Sequence, residues 1–569
     1  MLKLKKRIAE SLAATLAAMT PEPVPGADEL ASLLEYPPDN SMGDLALPCF
    51  RFAKVMRRAP KMIAEAIAES FICEGIETVT AVNGYLNFKI SPDFYAKSVL
   101  PEILEKGADY GKLNIGEEKT VVLDYSSPNI CKPFHIGHLG TTVIGHSIRL
   151  THEFMGYKCV GINYLGDWGT QFGKLITAYR KWGSKEEVEK GGIDYLVDIY
   201  VRFHAEAEND PTLNDLARYE FHKMEEGDEE NLALWNWFKE ISLEEYEKTY
   251  KQLGITFDSY LGESFYTDKM PAQVEKLREM NLLKIDDGAS IVDLEAYKLP
   301  PCLILKRDGS TLYPTRDIAA AVYRHDTYDF DKCIYVTANQ QSLHFAQWFK
   351  VVELMGYDWY DKLVHVPYGT ISVEGVKLST RHGNMLLLRD VFAAAIDKVS
   401  EIMATKSPDL PDRDKVAEEV GVGAVIFYYL LGGIGKDSSF VMSDALSFEG
   451  NTGPYVQYTY ARTCSILDRA GEIGESEVTL TAPEECELVK TLSRFSECVL
   501  RAMKEYEPSN ITRYILDVAA AFNRFYHECP ILSAESEAVK NTRLLLTKAT
   551  NTVLGNALPL ICLKTPRKI

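Results

Sequence analysis

The segment that most limits how this chain can fold runs from residue 120 to residue 164. Thr120-Val-Val-Leu-Asp-Tyr-Ser126 reads as a buried strand. A loop with Pro128 and Pro133 follows, then a helical stretch over 136–155 and another strand at 158–164. Strand, loop, helix and strand in this order make a βαβ unit, hence a parallel sheet. His135-Ile-Gly-His138 stands where the loop enters the helix. Imidazoles three residues apart share one face of a helix. The free N–H groups and partial positive charge of a helix start suit phosphate oxygens. Gly137 removes a side chain where a nucleobase could lie flat on the backbone. Chance gives H-x-G-H in roughly one such chain in seventy, but does not also place it after a buried strand.

The patterning around this unit divides the chain into three parts. Residues 1–110 read as a small α+β unit. It has a helix at 1–18, a break at Pro21 to Pro25, a turn-rich stretch at 36–44, a helical stretch at 50–70 and a strand-like run at 84–90. The opening Met1–Met19 stretch superficially resembles a leader peptide, but Glu10 interrupts it and its apolar residues recur at helical spacing. Residues 111–440 hold the parallel sheet, with strand signals again at 333–338 and 363–368. A mostly helical, acidic insertion at about 175–310 separates the two halves. Residues 441–569 read as helical. Apolar runs occupy 420–431, 455–467 and 511–526. The expected fold is α/β: a Rossmann-like parallel-sheet nucleotide-binding domain with helical insertions, a small N-terminal α+β domain and a C-terminal helical bundle.

The formal net charge is −20, which argues against gripping nucleic acid through bulk positive charge. Residues 1–110 are net −3 and residues 451–569 are neutral, so a polyanion would meet basic patches more easily at the two ends. Eleven cysteines without a C-x-x-C pair indicate neither a zinc site nor a disulfide framework, and suit a reducing, cytoplasmic compartment. No run of 18 apolar residues occurs, so no membrane span is expected.

A second signal is Lys377-Leu-Ser-Thr-Arg-His-Gly-Asn384, before a helical stretch at 391–398. Lys377 and Ser379 on such a loop can follow a moving pyrophosphate, although alone the run is more often a solvated loop. The two signals together resemble the class I aminoacyl-tRNA synthetases, whose signatures are H-I-G-H and K-M-S-K. Four segments resemble arginyl-tRNA synthetases in particular: Ser126–His138, Gly166-Asp-Trp-Gly-Thr-Gln-Phe-Gly173, Leu312-Tyr-Pro-Thr-Arg-Asp317 and Glu449-Gly-Asn-Thr-Gly-Pro-Tyr-Val-Gln-Tyr458. The likeness covers nearly the whole chain. Residues 1–110 resemble that family's additional tRNA-contacting domain.

The resemblance implies site residues. Asp124, Asn129, Tyr313, Asp317 and Gln341 would bind arginine, whose planar five-donor guanidinium needs carboxylate and amide acceptors in a narrow slot. Read without the resemblance, Asp317 is equally a first-turn carboxylate on a helix starting near Thr315, and Asp124 a turn cap at a strand end. His135, Gly137, His138, Lys377 and Ser379 would bind ATP. His135, His138, Lys132 and Lys377 would carry catalysis. The second signature departs from the family pattern, with Leu378 and Thr380 in place of Met and Lys. Lys132 is the natural source of the missing charge, with Arg381 the alternative. Tyr455, Tyr458 and Arg462, near one helix start, would contact tRNA by stacking and charge.

The implied reaction is two-step aminoacylation in protein biosynthesis. ATP with Mg2+ is the substrate complex, no resident metal is expected, and tRNA is needed already for the first step. The expected partners are tRNA, L-arginine and ATP, without DNA or membrane, and the family expectation is a monomer. Three alternatives remain. Another class I specificity should lack the Asp317 and Gln341 context. A nucleotidylyltransferase is usually far shorter. A non-catalytic tRNA-binding paralogue should have lost His135 or Lys377.

Overall fold

The computed structural model describes residues 1–373 and 387–569. Its N-terminal part packs the helices Leu2–Met19, Ala27–Leu33 and Pro60–Ser70 on an antiparallel sheet. The strands are β1 (Leu45–Pro48), β2 (Ile76–Val82) and β3 (Tyr85–Ile90), in the order β1-β3-β2. The helical stretch expected over 50–70 is broken. A 3-10 turn at Cys49–Phe52 and a short helix at Ala53–Met56 end on left-handed Arg57 (φ 49°). Pro60, at the first position of the next helix, sets the restart, since the residue before a proline avoids the helical region. β2 was not expected. It is an edge strand with no fully buried residue, so its sequence carries little alternation.

The central sheet contains β4 (Thr120–Asp124), β5 (Lys158–Ile162), β9 (Lys332–Ala338) and β10 (Leu363–Tyr368). All four are parallel, in the order β10-β9-β4-β5. β4 is central and buried on both faces, as its unbroken apolar run requires. Val121 and Leu123 point into one core cluster, with Ile136, Leu139 and Val143 of the crossover helix Ile136–Phe154. Val122 points into the other, with Ile318 of the helix Tyr313–Tyr328 and Trp348 of the helix Ser342–Leu354.

Between β5 and β9 the chain inserts the helices Thr170–Trp182, Lys185–Asn209, Thr212–Glu225 and Glu229–Leu253. The insertion is not wholly helical. β6 (Leu283–Asp286), β7 (Ala289–Val292) and β8 (Cys302–Leu305) form a small antiparallel sheet near its exit. These strands have four residues each, too short for a periodic signal. After β10, β11 (Ile371–Val373) pairs with β12 (Ser438–Phe440), enclosing the helices Leu388–Lys406 and Arg413–Leu431.

The C-terminal part is a bundle of the helices Gly453–Ala470, Pro483–Leu492, Phe495–Glu505, Ser509–Glu528 and Glu537–Leu560. The N-terminal part docks on it through charge pairs between Lys5 Nζ and Glu497 Oε1 at 2.5 Å and between Lys490 Nζ and Asp44 Oδ1 at 2.8 Å. Among the described residues no helix is long and apolar enough to cross a membrane.

Candidate active site

β4 and β9 end side by side at the carboxyl edge of the parallel sheet, where ligands of open α/β folds bind. A cavity of about 590 Å3 opens there. Asp124, Asn129, His138, Tyr313, Asp317 and Gln341 all line it, so the fold gathers residues spread over more than 200 positions. Glu263, Arg324 and His344 line it too.

His135 caps the crossover helix. Its Nδ1 accepts the Gly137 N–H at 3.1 Å, and its own N–H is donated to Nδ1 of His138 at 3.2 Å. With both Nδ1 atoms accepting, this pattern assigns the ring protons to Nε2. The rings stack with centroids 3.8 Å apart. Burial, then the charge of Lys132, pushes His135 down to about 4. Burial, then His135 and Lys132, holds His138 well below the ordinary histidine range. At neutral pH the pair is therefore uncharged and offers two N–H donors. A Cβ on Gly137 would lie 2.8 Å from Cε1 of His135, so the folded-back ring itself requires this glycine.

The insertion clamps the loop before these histidines. Tyr246 donates its hydroxyl to the carbonyls of Asn129 (2.8 Å) and Lys132 (2.6 Å). Ser242 Oγ accepts the Cys131 N–H at 2.9 Å. Tyr250 hydrogen-bonds Ser126 at 2.8 Å. Ser126, Ser127 and Cys131 are all left-handed, an uncommon conformation that such surrounding bonds over-determine. Lys132 is half-buried, burial lowers its pKa, and it forms no ion pair among the described residues. A desolvated ammonium beside two neutral imidazoles is poised for an incoming anion.

Three acid groups face or flank the cavity. Asp124 is buried and already engaged: Arg324 Nη2 lies 2.7 Å from its Oδ2, and Ser127 donates to its Oδ1 at 2.8 Å. Burial pushes its carboxyl upward and the Arg324 guanidinium opposes that. Asp317 accepts from His344 Nε2 at 2.6 Å. Glu263 pairs with Arg316 at 3.2 Å. Burial raises Glu263 to about 7, opposed by Arg316 and reinforced by Asp317 and Asp167. Tyr313 and Gln341 are exposed on the rim, and Asn129 is exposed in the loop. Glu263 and His344 went unrecognised in the sequence. Glu263 opens a short 3-10 helix, Glu263–Lys269, too brief to carry a periodic signal. His344 stands three residues after Gln341, but its bond to Asp317 exists only in three dimensions.

Lys377, Ser379, Thr380 and Arg381 lie outside the described residues. The chain that follows them returns to the first motif. Leu387 pairs with His135 in an antiparallel bridge, and the Leu388 N–H is donated to the Phe134 carbonyl at 2.9 Å. The C-terminal trio lies elsewhere. Tyr455, Tyr458 and Arg462 line a separate cavity of about 530 Å3 with Asn523 and the chain end. Arg462 is partly committed there, donating to Asn523 Oδ1 at 2.5 Å between the rings of Tyr458 and Tyr526.

A parallel nucleotide-binding sheet, a His-x-Gly-His helix cap at its carboxyl edge and a helical C-terminal bundle define a class I aminoacyl-tRNA synthetase. Residues 99–432 match the family described as tRNA synthetases class I (R), catalytic domain. Residues 3–90 match the arginyl tRNA synthetase N terminal domain, and 456–569 the DALR anticodon binding domain. The arginine–tRNA ligase of Alkaliphilus metalliredigens is 49% identical over 96% of this chain and 97% of its own length. That of Clostridioides difficile is 50% identical over 95% of this chain and 96% of its own. The arginyl-tRNA synthetase structure from Thermus thermophilus superposes with a TM-score of 0.86 at 26% identity, covering 100% of both chains. The chain belongs to the arginyl-tRNA synthetase family.

Proposed function

We propose that the cavity at the β4 and β9 ends binds L-arginine, and that the His135–His138 turn beside it binds ATP. The reaction is ATP-dependent attachment of arginine to tRNA. One observation carries the site assignment: the carboxylates of Glu263 and Asp317 share a single cavity with His138. The carboxylates suit a guanidinium and the histidine suits a phosphate, as arginine activation requires.

In the first step an arginine carboxylate oxygen attacks the α-phosphorus. The bond from that phosphorus to the pyrophosphate oxygen breaks, leaving arginyl-adenylate. The Nε2–H groups of His135 and His138 donate to phosphate oxygens, and the Lys132 ammonium offsets their growing charge. Lys377 and Ser379 act from the second motif, on the leaving group. Positioning and charge stabilisation do this work, without a covalent enzyme intermediate. In the second step the 2′-OH of the tRNA terminal ribose attacks the acyl carbon and AMP leaves. Mg2+ enters with the ATP phosphates as part of the substrate.

Tyr313 and Gln341 close the rim on the guanidinium, and Asn129 meets the amino acid from the first loop. Asp124, engaged by Arg324 and Ser127, shapes the pocket floor. Residues 1–110 and 441–569 contact the tRNA, with Tyr455, Tyr458 and Arg462 on the anticodon side. We place the enzyme in the cytoplasm as a monomer. Its eleven cysteines are all unpaired, which suits a reducing compartment.

ATP–pyrophosphate exchange, measured with each amino acid with and without tRNA, tests the reading. Exchange is expected with arginine, and only when tRNA is present. Exchange with another amino acid in place of arginine overturns it.

A further inference from the structure

The Gly166–Gly173 segment has no part in the chemistry above, yet Asp167 is one of the most committed side chains near the site. Its carboxylate has no exposed surface. Oδ1 accepts the Ser264 N–H at 2.8 Å, and Oδ2 accepts the Ser264 hydroxyl at 2.9 Å and the Lys239 ammonium at 2.5 Å. The Asp167 carbonyl accepts Trp235 Nε1–H at 2.7 Å. Lys239 and Trp235 both belong to the insertion helix Glu229–Leu253.

Ser264 directly follows Glu263, whose own N–H is donated to the Leu165 carbonyl at 2.9 Å. Glu263 is therefore held from both sides by the 165–167 strip. On its other flank, a Cβ at Gly262 would lie 2.5 Å from the Asp167 carboxylate, so that carboxylate fills the space beside the 262–264 backbone. From this grip the Glu263 side chain reaches the cavity and meets Arg316.

We propose that Asp167 is a positioning residue for arginine binding: it fixes the backbone that aims Glu263 into the cavity, and through Lys239 it ties that aim to the insertion helix. The inference rests on the reading of Glu263 as an arginine-facing carboxylate. A buried Asp–Lys pair is by itself poor evidence of stabilisation. This one holds the two residues flanking a cavity carboxylate, where small displacements matter most. Asp167→Asn keeps the size but turns one acceptor into a donor that faces Lys239 and the Ser264 hydroxyl. The 263–264 backbone then shifts.

The test is ATP–pyrophosphate exchange by the full-length enzyme with tRNA, comparing Asp167→Asn, Glu263→Gln and the double variant. Asp167→Asn is expected to raise the arginine KM about ten-fold and to leave the ATP KM within about two-fold. In the Glu263→Gln background the same change should add almost nothing, because residues that act through one another are not additive. A full additional ten-fold there, or an equal rise in ATP KM, overturns the proposal in favour of a general packing role. If Asp167→Asn does not fold, Ser264→Ala carries the same comparison, with an expected rise of about three-fold. If Glu263→Gln leaves the arginine KM unchanged, the pocket reading falls and the inference with it. If Glu263→Gln raises it and neither Asp167→Asn nor Ser264→Ala does, the inference alone falls.

Discussion

His344 Nε2 lies 2.6 Å from Asp317 Oδ2, linking the helix Ser342–Leu354 to the helix Tyr313–Tyr328 beside the cavity at the sheet's carboxyl edge. The bond fixes one carboxylate oxygen and leaves the other for a guanidinium. Asp317→Ala would leave arginine donors unpaired in a desolvated slot, a loss of about 1–3 kcal/mol. The arginine KM should rise accordingly and the ATP KM should hardly move. His344→Ala, which frees the carboxylate to rotate, should raise the arginine KM by less. Steady-state kinetics with each substrate varied in turn checks both, and an unchanged arginine KM in Asp317→Ala would sink the assignment.

If Glu263 faces arginine as proposed, arginine binding should depend on pH near neutrality. Burial, partly opposed by Arg316, raises its carboxyl to about 7. Below that value the group is largely neutral and attracts a guanidinium weakly; above it the group is a carboxylate. The arginine KM should therefore fall as pH rises through about 7, with the ATP KM following a different profile. Glu263→Gln should abolish this inflection. Its persistence in that variant would assign the titration to another group.

Lys132 faces no carboxylate partner among the described residues and is already desolvated. In the proposed mechanism it offsets charge that Thr380 does not supply. Lys132→Ala should slow single-turnover adenylation by ten-fold or more, matching about 1.4 kcal/mol of lost transition-state stabilisation. The arginine KM should stay nearly constant. Thr380→Lys in that background should restore part of the rate. Normal adenylation by Lys132→Ala would shift attention to Arg381.

Tyr458 is 41% exposed, whereas Tyr455 accepts from Asn523 at 2.9 Å and Arg462 is held by the same asparagine. Tyr458 is thus the more exposed of the two tyrosines, with Arg462 against its ring, and the one placed to stack on an unpaired base. Such stacking contributes about 1–3 kcal/mol. Tyr458→Ala should weaken tRNA binding roughly ten-fold in a filter or fluorescence titration, with the arginine and ATP KM values unaltered at saturating tRNA. Unchanged tRNA affinity would return Tyr458 to a packing role.

Local pattern and tertiary placement divide what this chain reveals. The strand at 120–126, the crossover helix at 136–155 and the His-x-Gly-His cap were readable because each is a short-range regularity: an apolar run, a helical period, a junction. The long C-terminal helices were readable for the same reason. β2 and the β6-β7-β8 sheet were not, since an edge strand without buried residues and strands of four residues lack periodicity. The sequence also determined which residue types could serve a guanidinium and a phosphate. It could not determine their commitments. Only the fold spends the Asp124 carboxylate on Arg324, turns Asp317 toward His344, brings Glu263 from within a long insertion into the cavity and grips its backbone with Asp167. Those are contacts between segments 27 to 200 positions apart, and hydrogen-bond geometry and desolvation at such distances are properties of the folded chain alone.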